Sequence, residues 1–135
     1  MIVADTNLLA YLHIKGKNSP VARQVVLQDP HWAAPFLWRS EFRNTLITCV
    51  KGGLVERNEV FGIMAAAESM LAGWEYDVVS DEVLELATAT GCTAYDAEFV
   101  ALARDLRVPL VTTDKELLEK FPDTAVSPEH FLARP

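Results

Sequence analysis

Several things are scarce in this chain, and each scarcity removes a class of function. There are two cysteines in 135 residues, Cys49 and Cys92, far apart and in no CxxC pair. They read as buried thiols rather than as a disulfide framework or a thiolate metal site. The three histidines, His13, His31 and His130, are scattered and match no HExxH spacing, so a histidine-based metal site has no support. No apolar run approaches the roughly 20 residues that a membrane-spanning helix needs. The N-terminus lacks a basic region followed by an apolar stretch and a cleavage site, so the expectation is a cytoplasmic chain with no membrane partner. Glycine and proline are spread rather than clustered, and neither linker, low-complexity tract nor repeat interrupts the chain.

A surplus of positive charge is also lacking. The formal net charge is −7, which argues against broad clamping of a nucleic-acid backbone. Glu56 to Glu85 holds eight of the nineteen acids with only Arg57 to balance them, and most of these read as solvated helix faces. Basic residues gather elsewhere, as Lys15, Lys17 and Arg23, then Arg39, Arg43 and Lys51, then Arg104, Arg107 and Lys115. A locally basic rim is compatible with the acidic whole.

What the chain does have is alternation. Half of its residues are hydrophobic, and its length suits one domain spanning residues 1–135 with a sizeable core. Short apolar runs at Ile2–Ala4, His31–Ala34, within Trp74–Val79, at Pro109–Thr112 and at Ala125–Val126 read as strands. Between them lie helical patterns over Leu8–Leu12, Ser19–Leu27, Phe36–Lys51, Glu56–Leu71, Ser80–Thr90, Tyr95–Leu106 and Lys115–Lys120. Ser19 and Ser80 are read as N-caps, Pro20 as a first-turn proline, and Gly52-Gly53 and Gly91 as stops. Short apolar strands alternating with helices predict an α/β fold with a parallel sheet covered on both faces. Ligands of such sheets bind beyond the carboxyl ends of the strands. Asp5 and Asp114 each stand just past such an end.

Four acids are singled out by position: Asp5, Glu41, Asp96 and Asp114. Each has a structural reading. Asp5 can cap the helix that follows it, Asp96 completes a Thr-x-x-Asp box with Thr93, and Asp114 lies inside a second box from Thr113 to Glu116. Glu41 is harder to explain locally. It sits in WRSEFRN at the boundary of the apolar face, and neither Arg39 nor Arg43 is three or four residues away. If the four acids converged they would repel one another unless a cation sat between them. Carboxylates are hard ligands suited to Mg²⁺ or Mn²⁺, and such a site supports phosphodiester hydrolysis by metal-activated water.

With DTN after the first strand, SEFRNTL on a helix, YDAEFVALA opening a later helix and LVTTDKEL at a strand end, the sequence resembles the PIN-domain ribonucleases. It looks most like the VapC-type toxins of prokaryotic toxin–antitoxin pairs. The resemblance covers nearly the whole chain, although Gly52 to Gly91 carries no motif. It implies a three-layer α/β/α sandwich, PIN-like, with a central parallel sheet of about five strands in the order 3-2-1-4-5. Carried over by motif, Asp5, Glu41, Asp96 and Asp114 match the family's Mg²⁺- or Mn²⁺-binding acidic cluster, and Asn7 and Thr112 match polar positions that orient those acids. Glu98, two positions beyond Asp96, is either an outlying supporting group or a solvated surface acid. The resemblance further implies an RNA substrate, a homodimer and a cognate antitoxin, with Phe36, Leu37 and Trp38 as candidate contact residues. Trp38 has a core reading as well.

Three rivals stand beside this reading. One is a PIN nuclease of RNA processing with no antitoxin. Another is a phosphoryl-transfer fold of the haloacid dehalogenase or receiver type, which DTN fits poorly because no second acid follows two residues after Asp5. The last is a non-catalytic binding module that kept the fold, disfavoured because unneeded like charges in one place destabilise it.

Overall fold

The computed structural model describes residues 1–135. Strand β1 (Ile2–Ala4) is paired on both sides, with β2 (Trp32–Pro35) and with β4 (Leu110–Val111). β3 (Glu75–Tyr76) extends the sheet beyond β2, and β5 (Ala125–Val126) extends it beyond β4. All pairs are parallel and the order is β3-β2-β1-β4-β5. The residues of β1, β2 and β4 are all buried, as strands covered on both faces must be.

Helices fill the connections. α1 (Thr6–His13) and α2 (Ser19–Gln28) join β1 to β2, and α3 (Trp38–Lys51) and α4 (Val60–Leu71) join β2 to β3. α1 packs on α2, α3 and α4, so these helices form one layer. α5 (Ser80–Thr90) and α6 (Ala94–Leu106) join β3 to β4, pack against each other, and α6 lies across β1, β2 and β4 as the opposite layer. The chain therefore changes direction beside β1, and the crevice between the ends of β1 and β4 is the topological switch point of an α/β/α sandwich. α7 (Lys115–Lys120) and α8 (Pro128–Leu132) complete the fold.

Boundaries differ from expectation where side chains compete with caps. Asn18, not Ser19, is the N-cap of α2; the Ser19 hydroxyl instead accepts from the Gly16 N–H and donates to the Ile14 carbonyl. Val79 precedes Ser80 as the cap of α5. α4 begins at Val60 rather than Glu56, because the Glu59 carboxylate holds the Glu56 N–H in a preceding turn. α8 was not expected at all. Its signal is Ser127-Pro128, an N-cap whose hydroxyl accepts from the His130 N–H, followed by a first-turn proline.

Trp38 is fully buried, which removes it from the contact surface suggested with Phe36 and Leu37; of the three only Phe36 is exposed. Its indole N–H donates to Glu75 at 2.8 Å. Arg39 clamps the same carboxylate with two nitrogens at 2.6 and 2.7 Å and reaches Glu68 at 2.6 Å. These bonds hold the Glu75 carboxyl below its ordinary range, chiefly through Arg39. Arg39 is thus committed to β3 and α4 and leaves Glu41 to other partners.

Candidate active site

Asp5 stands where β1 ends. Ala4 lies opposite Val111, so Asp5 and Thr112 form the next pair across the two central strands. Thr112 is fully buried, and its hydroxyl donates to Asp5 Oδ2 while accepting from the Asp114 N–H at 3.0 Å. One hydroxyl thereby ties the first acid to the backbone of the last. The other Asp5 oxygen accepts from the Leu8 N–H at 2.8 Å, so Asp5 is the N-cap of α1 as well as a wall of the crevice. The structural and the functional reading of this residue are compatible.

The remaining acids arrive from three other elements. Glu41 projects from the first turn of α3, and its Oε1 accepts from the Thr6 hydroxyl at 2.7 Å. Asp96 lies in the first turn of α6, where its N–H donates to the Thr93 cap. Asp114 is itself the N-cap of α7, accepting from the Leu117 N–H at 3.2 Å, so Thr113 does not cap this helix as expected. Asp5, Glu41, Asp96 and Asp114 line one small cavity of about 90 Å³, together with Thr6, Asn7, Phe99 and Leu117. No lysine or arginine lines it.

Asn7 reaches the cavity but is exposed and bonds to no carboxylate; Thr6 and Thr112 hold the acids instead. Thr6 escaped sequence reading because its partner Glu41 is 35 residues away. Glu98 lines a different cavity, with Val78, Ser80, Val83 and Leu84. A turn of about 100° per residue carries it away from Asp96.

Electrostatics follow from this crowding. The Asp5 carboxyl is raised from 3.8 to about 6, first by burial and then by the charges of Asp114 and Glu41, against the donors Thr112 and Leu8. Asp96 is raised as well, by burial and then by Asp114, Glu41 and Glu116. Burial, then the charge of Glu41, raises Glu98.

The donor set is all oxygen, acidic and without an internal cation, which suits a hard divalent ion. With Asp5 tied to Thr112 and Leu8, Glu41 to Thr6 and Asp114 to Leu117, no three carboxylates converge as a finished metal site.

Replacing Thr112 with valine keeps shape and β-propensity but orphans Asp5 Oδ2 and the Asp114 N–H. The expected cost is about 1–3 kcal/mol in urea denaturation with unchanged m-value. Serine at the same position restores most of it. A valine variant as stable as the parent would show that the hydroxyl bridge contributes nothing.

No family model matches the chain. It is 29% identical over 124 residues to Ribonuclease VapC3 of Pyrobaculum aerophilum, covering 90% of this chain and 95% of that one. Its fold matches the crystal structure of PAE2754 from the same organism with a TM-score of 0.76 and 26% identity, over 98% and 94% of the two chains. More distantly, it matches FitAcB of Neisseria gonorrhoeae (TM-score 0.70, 14% identity, 96% and 99% covered). A toxin–antitoxin complex from Klebsiella pneumoniae also matches (0.65, 18%, 95% and 98%). These last two likenesses concern the fold alone. The resemblance carried by four short motifs extends over nearly the whole chain: it is a relative of the VapC-type PIN-domain proteins in sequence and shares their fold.

Proposed function

We propose that this chain is a metal-dependent endoribonuclease, a single PIN domain acting in the cytoplasm as the toxin of a toxin–antitoxin pair. The observation that carries the reading is the convergence of Asp5, Glu41, Asp96 and Asp114, from four separate elements, on one cavity that contains no basic side chain. Like charges gathered at the sheet's switch point are costly, and a divalent ion is the partner that offsets the cost. The 29% identity to a protein named as a ribonuclease supports the choice of RNA. Fold likeness to a protein of a toxin–antitoxin complex supports an antitoxin as partner. A homodimer is what the family resemblance implies.

Asp5, Asp96 and Asp114 would hold Mg²⁺ or Mn²⁺, and Glu41 would hold it too or orient the water. When bound, the ion supplies an acidified water and neutralises charge on a phosphoryl oxygen. The chain's own residues do the rest. Thr112 and the Leu8 N–H fix the Asp5 carboxylate at the end of a buried strand, so its position does not drift with the loops. Thr6 restrains Glu41 across the cavity mouth. Glu41 is only partly buried, which leaves it able to meet a water beside the scissile phosphate.

The test is cleavage of total RNA by the purified protein with added Mn²⁺ or Mg²⁺ and with excess chelator. Hydrolysis is expected only with metal, leaving 5′-phosphate and 3′-hydroxyl ends. Ends bearing a 2′,3′-cyclic phosphate, or full activity in chelator, would reject metal-activated water.

A further inference from the structure

The carboxylate cavity is acidic throughout, so an RNA strand held there needs positive anchors somewhere else. Two concave surfaces gather them: Lys15 and Lys17 line a cavity of about 250 Å³ that shares Asn7 with the carboxylates, and three arginines, whose forks match phosphate oxygens, line a larger one. At the opposite ends of β4 and β5, a cavity of about 580 Å³ is lined by Arg104, Arg107 and Arg134, with Asp123 as its sole acid. Three arginines facing one carboxylate is a local reversal of the charge of a chain at −7.

The arginines are not equivalent. Arg104 is held in place: Nε donates to the Thr124 hydroxyl at 3.0 Å, its guanidinium lies 5.5 Å from the Phe121 ring centre, and its contacts to Asp123 are long, 3.3 and 3.4 Å. Asp123 is 71% exposed in its side chain, so this pair is weak and easily exchanged. Arg107 is the C-cap of α6, in the left-handed region (φ 56°), and its side chain lines the cavity. Neither Arg107 nor Arg134 forms an ion pair, and Arg134 only stacks on Phe131. The cavity therefore offers two uncommitted guanidiniums and one pre-positioned guanidinium, forks matched to phosphate oxygens.

We propose that this three-arginine cavity binds backbone phosphates of the RNA substrate, at a distance from the bond that is cut. The proposal rests on the ribonuclease reading for the identity of the strand. Its walls include Pro109 and Pro122 but no aromatic ring, so it has no aromatic platform for a base. It recognises phosphate rather than sequence. Pro109 in the cavity and Asp114 at the carboxylates are five residues apart, across β4 and the turn after it, which is at most about 17 Å at strand rise. β5, next to β4, is the edge strand of the sheet.

The experiment measures binding rather than cleavage, on protein carrying Asp5→Asn, with a fluorescent polyuridine of about thirty nucleotides as probe. Arg107→Asn, which tolerates the left-handed backbone, is combined with Arg134→Gln; Arg104→Lys is made separately, and melting curves confirm folding. The double variant is expected to bind about tenfold more weakly at low salt, and the slope of log K against log salt to fall by about 1.4. Unchanged affinity and slope in both variants would overturn the proposal. So would arginine-dependent binding of pyrophosphate with no arginine-dependent binding of polyuridine, which would make the occupant a small free phosphate compound. Because cleavage plays no part, a failure of the nuclease reading would show separately, as RNA hydrolysis undiminished by Asp5→Asn.

Discussion

Asp5→Asn is expected to lower RNA cleavage by about a thousandfold or more, roughly 4 kcal/mol of transition-state stabilisation, while the fold persists. Asparagine is the informative replacement because it retains most of what Asp5 does structurally. It caps a helix as well as aspartate does, so the bond from the Leu8 N–H survives. Its amide can still meet Thr112, whose hydroxyl oxygen has room to accept. What disappears is the negative charge at the end of β1. Asp96→Asn and Asp114→Asn are expected to behave alike, since both side chains line the same cavity. Glu98→Gln, facing another cavity, should change the rate by less than about threefold. Gel-resolved cleavage of a defined RNA, with circular dichroism of each variant, decides the matter. An Asp5→Asn protein that cuts at the parent rate would remove Asp5 from the chemistry.

The same substitution is expected to act in the opposite direction on stability. The Asp5 carboxyl sits at about 6 in the folded chain against 3.8 in the ordinary state, mainly because it is buried. A folded-state value above the unfolded one means the folded chain keeps a proton that the unfolded chain has released. That contribution is fully present below about pH 3.8 and is lost as pH rises through about 6. Above pH 6 the buried charge costs up to about 3 kcal/mol. Asp96 is shifted the same way and adds to the trend. In chelator at pH 7.5, Asp5→Asn should therefore melt several degrees higher than the parent, by about 1–3 kcal/mol. At pH 4 the two should coincide. Saturating Mn²⁺ should raise the parent by about 2–3 kcal/mol and the variant far less. Lower melting of the variant at pH 7.5 without metal would mean that its hydrogen bonds outweigh the buried charge.

Some of this was written in the chain as local pattern. Ile2–Ala4 is apolar and short, and ends at an acid; Leu110–Val111 is likewise apolar and short, and ends three residues before Asp114. Strand runs, glycine stops and the Thr93 cap depend on neighbours within a turn or two, so their spacing is visible without a fold. The structure departs from the local pattern where a side chain takes a different near partner, as Ser19 does with Gly16 and Ile14 in place of capping α2. α8 is signalled by Ser127-Pro128, an N-cap followed by a first-turn proline.

The sequence by itself determined that strands alternate with helices, that the sheet is parallel, and that two acids emerge at strand ends, because hydrophobic period and capping are local properties. Tertiary structure alone decided what those acids meet. Thr6 reaches Glu41, Thr112 bridges Asp5 to Asp114, Arg39 is drawn to Glu75 and Glu68, and Trp38 goes to the core. It also brought Arg104, Arg107 and Arg134 around one cavity behind the sheet. The reason is packing: which helix faces meet across a sheet depends on how every buried side chain fills the space between the layers.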